Sequence, residues 1–278
     1  MPPLLQLLLV NAAVSAVAFL ALWLVSLRIK DVSFIDAWWG PSMALLAWST
    51  LLQHPLNAWG ATPHGLLLTG LCTLWAARLG GYLFWRWRKH GADRRYVSMI
   101  AHAEKHRGWS FAKTALLLVF SLQYALGFVV ALPVQLGQQA GPLGPLAFAG
   151  AALAVIGILF ETIGDAQLTA FKADPANAGK VMDKGLWRYT RHPNYFGDAC
   201  VWWGLYLIAA ETGLGAWALP GPVLITVLLT RWSGVPTTEG KMRKSKPGYE
   251  AYVARTSGFV PWFPRAHPLP EGEGGARR

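Results

Sequence analysis

Residues 4–27 read LLQLLLVNAAVSAVAFLALWLVSL, a stretch without a single charge. At about 1.5 Å of rise per residue, such a helix outruns the roughly 30 Å hydrocarbon core of a bilayer. The stretch is too long for a signal-peptide core and has no basic leader, so it reads as a first membrane-spanning helix. Six more apolar runs follow, at residues 34–52, 65–85, 114–136, 145–170, 196–210 and 214–232. The last two are short or carry Pro220 and Pro222, which leaves a kinked or re-entrant pair open. The expectation is an all-α polytopic membrane helix bundle of about seven transmembrane helices. It forms one catalytic domain over residues 1–265, followed by a disordered tail over residues 266–278.

Composition points the same way. Only 14% of the residues are charged, where a soluble domain carries about 25%. The 15 Trp suit a chain with many membrane–water interfaces, where an indole keeps one edge wet. Cys72 and Cys200 lie in apolar stretches and read as small core residues. No Gly-x-Gly-x-x-Gly follows a strand, which excludes a soluble dinucleotide-binding domain. His102 and His106 share a helix face but have no third ligand, and no metal is expected.

Charge placement sets orientation. Of the 25 Lys and Arg, Arg78 lies within the third run and Arg231 at the end of the seventh; all the others fall after the first, third, fifth and seventh runs, and none after the second, fourth or sixth. Cytoplasmic loops collect these residues, so the N-terminus is expected outside and the C-terminus inside, in a bacterial inner membrane. Topology and attraction to anionic lipid headgroups explain most of the asymmetry. A phosphate-rich ligand would sit on the same side, and charge count alone does not choose between them.

Ionisable residues inside the runs carry more information, because charge at membrane depth faces a bundle interior or a wet cavity. Asp36 begins the second run and Arg78 lies within the third. Glu161 and Asp165 are four apart in the fifth, on one helix face. Asp198 begins the sixth and Arg231 ends the seventh. An internal ion pair of Arg78 with Asp36 or Glu161 would account for some of them without any ligand.

The densest polar stretch is GLWRYTRHPNYFGD, residues 185–198. Pro193 suits the first turn of a helix, whose free N–H groups and positive dipole end would face the cytoplasm. Arg191 and His192 are placed to grip a phosphate. Asn194 can donate and accept towards a carboxamide or ribose, and Asp198, one turn deeper, can accept from a hydroxyl or amide.

This stretch resembles the steroid 5-alpha-reductase-like membrane family, most of all its bacterial branch of uncharacterised function. So do Arg231-Trp-Ser-Gly-Val-Pro, Glu239, Pro247-Gly-Tyr-Glu-Ala-Tyr252 and Phe259-Val-Pro-Trp-Phe-Pro264. Upstream, Lys30 to Asp36 with Trp39-Gly40, Arg78, and Gly91-Ala-Asp-Arg-Arg-Tyr96 are similar to that branch too. The resemblance implies a seven-helix enzyme that uses NADPH to reduce a carbon–carbon double bond conjugated to a ketone. It places the cofactor in about residues 145–265. By position, Asp165, Lys172, Asn194, Asp198 and Arg231 match cofactor-contacting residues of the steroid reductases. Arg94, Arg95 and Lys180 are candidate grips for the 2′-phosphate, and Glu161, Tyr189, Arg191, His192, Tyr195 and Glu239 complete the expected cofactor set. Steroid reductases polarise the ketone with a Glu on helix two and a Tyr on helix three; this chain offers Asp36 and Tyr82 there as its catalytic pair.

The Arg-His-Pro-x-Tyr motif with a following Glu and a Tyr-x-x-Tyr tail also resembles membrane methyltransferases acting on isoprenylcysteine or phospholipid headgroups, which bind S-adenosylmethionine. Helix number and the abundance of base favour the reductase. A non-catalytic lipid-binding membrane protein is the third reading. The expected partners are a lipophilic substrate entering from the bilayer and anionic lipids, with no nucleic acid. The sequence does not specify an oligomeric state.

Overall fold

The computed structural model describes residues 3–53, 62–232 and 234–265. The expected tail, 266–278, lies outside the described residues. Among the described residues twelve α-helical segments follow one another: α1 Pro3–Ile29, α2 Ile35–Gln53, α3 Pro63–His90, α4 Arg94–Arg107, α5 Phe111–Thr114, α6 Ser121–Val130, α7 Leu132–Leu136, α8 Pro145–Ala173, α9 Pro193–Ala210, α10 Pro220–Val227, α11 Val235–Ser245 and α12 Tyr249–Arg255. A π-helical stretch, Ala115–Phe120, joins α5 to α6, and another, Leu228–Trp232, continues α10. Among the described residues there is no strand, only a bridge between Thr190 and Ser257. The chain is a polytopic membrane helix bundle.

Helices occupy all seven of the expected runs. Among the described residues five stretches are long and apolar enough to cross a bilayer: Pro3–Ile29, Pro63–His90, Phe111–Val130, Pro145–Ala173 and Gly215–Ser245. The other two, α2 and α9, have 19 and 18 residues, enough for about 28 Å and 27 Å. In α2 the reason for the lower apolarity is packing. Gly40, Ser42, Ala44, Ala47 and Thr50 are buried by protein, so they need not match lipid. Pro220 opens α10 rather than breaking it, since its missing N–H is unpaired in a first turn anyway.

Two compact units divide the chain: Met1–Val155 with Val201–Ile225, and Ile156–Cys200 with Thr226–Arg278. In the first unit α1 inverts the pattern of a soluble helix. Its buried positions are Asn11, Ser15, Phe19 and Ser26, while Val17 and Leu24 stand exposed at 67% and 59%. That is the arrangement lipid dictates, with small and polar residues gluing helices together. Asn11 Nδ2 donates to Thr50 Oγ1 at 2.8 Å and Gln135 Oε1 at 3.1 Å, and Asn11 Oδ1 accepts from Gln53. α2 and α3 meet backbone to backbone: a Cβ on Gly80 would stand 2.9 Å from Ala37 O and the Pro41 ring. α8 and α9 cross equally closely, because a Cβ on Gly204 would lie 2.5 Å from Gly150 O.

Glu211 closes the same unit at the N-terminal end of α8. Its carboxylate accepts from the N–H of Gly144 at 2.8 Å, Leu146 at 3.1 Å and Ala147 at 3.3 Å, and meets His64 Nε2 at 2.9 Å. The Gly144 N–H above all, with His64 and the other two amides, holds this carboxyl below its ordinary range. A negative group belongs at this end of a helix dipole.

Candidate functional site

In the second unit the polar stretch after α8 is pinned before α9 begins. Trp187 is buried, donates from Nε1 to Gly164 O at 3.0 Å, and accepts at its own carbonyl from the Tyr252 hydroxyl at 2.5 Å. Burial foremost pushes the Tyr252 phenol up, so it stays a donor. Leu186 N donates to Gln167 Oε1 at 3.0 Å. Thr190 Oγ1 donates to Phe259 O at 2.8 Å and Arg191 N to Ser257 O at 2.9 Å. The loop is therefore held by α8, α12 and the segment after α12.

Arg191 and His192, expected to face a phosphate, are turned onto the protein. Arg191 Nε donates to Glu239 Oε1 at 2.8 Å, and its Nη1 to the carbonyls of Thr256 at 2.6 Å and Val253 at 3.4 Å. His192 Nε2 meets the same Glu239 oxygen at 3.2 Å. All three side chains are nearly buried, at 13%, 3% and 11% exposure. The His192 ring stacks on Tyr195 at 5.2 Å, and the Tyr195 hydroxyl meets Thr238 Oγ1 at 3.2 Å. Glu239 thus ties the start of α9 to α11, and Arg191 ties it to the end of α12.

One turn further the face between α8 and α9 is polar and buried. Pro193 starts α9, as its fixed φ suggests. Asn194 Nδ2 donates to Asp165 Oδ1 at 3.3 Å, and Asn194 Oδ1 accepts from Tyr195 N at 3.1 Å. Glu161, Asp165 and Asp198 are all buried. The i,i+4 spacing of Glu161 and Asp165 does turn both towards α9: a Cβ on Gly197 would meet Glu161 Cγ at 2.9 Å, and one on Gly164 would meet the Pro193 ring at 3.2 Å. Lys172, Lys180, Tyr189 and Arg231 are exposed on the same unit.

The first unit holds a second polar cluster. Asp36 Oδ1 accepts from the Tyr96 hydroxyl at 2.5 Å, and Asp36 Oδ2 from Arg95 Nη2 at 2.9 Å. Gln123 Nε2 donates to the Tyr96 oxygen at 3.0 Å. Burial foremost, then the charge of Asp36, pushes the Tyr96 phenol up, so it is a neutral donor. Asp93 caps α4 through Arg95 N at 2.8 Å and also accepts from Arg95 Nε. Arg94 is exposed beside it. Tyr82 stacks on Trp85 at 6.0 Å and lies under the Arg78 guanidinium. Tyr96 had no role in the sequence reading. Its only signal was its place beside Arg94 and Arg95, since its partners are 60 and 27 residues away. Among the described residues no three His, Cys, Asp or Glu converge on a point that could hold a metal.

Fold and site together define a multi-spanning helical membrane protein with a buried polar face at the start of α9. Comparison with known proteins gives the family. The profile described as "Protein of unknown function (DUF1295)" matches residues 22–256, and the chain belongs to that family, which groups with the steroid 5-alpha-reductase-like proteins. A Schizosaccharomyces pombe protein, "Uncharacterized protein C594.04c", is similar at 23% identity over 88% of this chain and 77% of its own length. No solved structure matches.

Proposed function

We propose that this protein is a membrane-embedded reductase that binds NADPH and acts on an activated, enone-type double bond in a lipophilic substrate. The observation that carries the reading is the buried face of α8 and α9, where Asn194 meets Asp165 beside Glu161 and Asp198. One amide among three carboxylates suits ribose hydroxyls and a carboxamide, because carboxylates accept from O–H and N–H groups. The same carboxylates would repel phosphate, so the phosphates fall to exposed base.

The fit also revises the grip. Arg191 and His192 have donors committed to Glu239 and to carbonyls, so their part is to hold the loop. Lys172, Lys180 and Arg231, on the second unit, are the remaining candidates for phosphate. Arg94 and Arg95 belong to the first unit, and Arg95 is engaged by Asp36 and Asp93. NADPH, when bound, supplies the hydride. The resemblance implies Asp36 and Tyr82, both of the first unit, as the pair that would polarise a substrate carbonyl.

A second reading has one observation in its favour. With Arg191 and His192 engaged, the motif itself offers less charge to phosphate, and S-adenosylmethionine carries none. A membrane methyltransferase is therefore the competing function, and a non-catalytic lipid-binding protein the third. The test is thermal: purified protein in detergent is melted with NADPH, NADH or S-adenosylmethionine, since a ligand that binds only the folded state raises its stability. NADPH is expected to give the largest upward shift. A shift with S-adenosylmethionine alone would replace the reductase by the methyltransferase, and no shift with any of them would favour lipid binding.

A further inference from the structure

We propose that residues 259–264 form an interfacial anchor, with Trp262 and Phe263 seated among the headgroups and upper acyl chains of an anionic bilayer. Trp262 is 70% exposed and Phe263 76%, and Val260 beside them is 58% exposed. Large aromatic side chains in a row do not face water without a reason. Their exposure does not come from a loose chain. Trp262 N donates to Tyr189 O at 2.9 Å, Arg265 N to Arg255 O at 2.9 Å, and Ser257 Oγ to Val260 O at 2.5 Å. Phe263 meets the half-exposed Tyr189 ring edge-on at 6.2 Å. The backbone is fixed, and it presents the aromatic pair outward.

The level of the segment identifies the occupant. Phe259 packs on Phe196 in the first turn of α9, and Phe196 on Phe160 of α8. Trp187, from the same loop, is bonded to Gly164 of α8. The aromatic pair therefore lies where α8 runs out of its apolar stretch towards Lys172. That is the depth at which indole rings collect in membrane proteins. Arg188 and Arg265, both exposed, flank it and complement anionic headgroups. The same backbone gives Arg191 its partners at Ser257 and Thr256. The anchor thus fixes the loop ahead of α9 to the bilayer surface. It stands apart from the cofactor assignment.

The experiment uses the full chain in nanodiscs of phosphatidylcholine and phosphatidylglycerol, with a nitroxide side chain at Val260→Cys. The native thiols of Cys72 and Cys200 are buried. The nitroxide should collide readily with lipid-dissolved oxygen and poorly with a water-soluble nickel chelate. Adding Trp262→Ser should raise nickel accessibility several-fold. Strong nickel collision in the parent would overturn the proposal. So would protection from both reagents, which would mean that a second copy or another segment covers the patch, and so would no response to Trp262→Ser.

Discussion

Each unit of this molecule has an arginine paired with a carboxylate, and the two pairs differ. Arg191 and Glu239 are 13% and 11% exposed, while Arg95 and Asp36 are 42% and 25% exposed. The first pair is wrapped by His192 and by carbonyls from α12 and beyond; the second is open on one side and backed by a phenol. A charge held away from water needs its partner, whereas one near water can lose its partner cheaply. The first pair therefore reads as a clasp for the fold and the second as a group available to chemistry.

Four variants test that contrast. Glu239→Gln leaves Arg191 and His192 without their shared charge, and should cost about 3–5 kcal/mol of stability. A loss under about 1 kcal/mol in a denaturation series would remove the clasp. Tyr96→Phe strips Asp36 and Gln123 of a part-buried partner and should cost about 1–3 kcal/mol. If melting is unchanged and reduction of a lipophilic enone with NADPH is also unchanged, Asp36 and Tyr96 are a mere surface contact. Arg95→Ala should cost only about 0–1 kcal/mol, less at high salt; a large loss would erase the difference between the pairs. The smallest effect is expected at Glu211. Its folded-state pKa lies below the unfolded value, so its contribution is present above the unfolded value and lost as pH falls through the folded one. Glu211→Gln should flatten the acid limb of the melting-temperature profile. An unchanged acid limb would mean that the carboxylate does not act as the cap of α8.

How far the sequence reaches is clear from particular elements. The seven helical runs were legible because a long, mostly apolar stretch has one stable form in lipid, with every backbone group bonded within the segment. The two runs that looked short or broken, 196–210 and 214–232, divided: the second lies in a stretch apolar and long enough to span, while α9, and α2 as well, fall short of that measure, since residues that pack against protein need not be apolar. Pro193 as the start of α9 and the shared face of Glu161 and Asp165 followed from local geometry. The partners of Arg191 and His192 did not. Glu239 lies 48 residues beyond Arg191, and nothing local says whether an arginine beside a helix start turns to a ligand or to the chain. Tyr96 was missed for the same reason, its acceptor lying 60 residues away. The candidate site was thus readable as a set of residues, while the division between those that clasp and those that face a ligand needed the fold.

If the α8–α9 face holds NADPH, Asn194 is the residue whose loss should show it. Melting temperature without ligand and NADPH affinity by titration are measured together for the wild type and Asn194→Ala. The expected result is an affinity loss of about 1–3 kcal/mol, roughly tenfold to a hundredfold, with no larger drop in melting than the loss of the single contact to Asp165 brings. A lower melting temperature with unchanged NADPH affinity would contradict it, since Asn194 would then only tie α9 to Asp165.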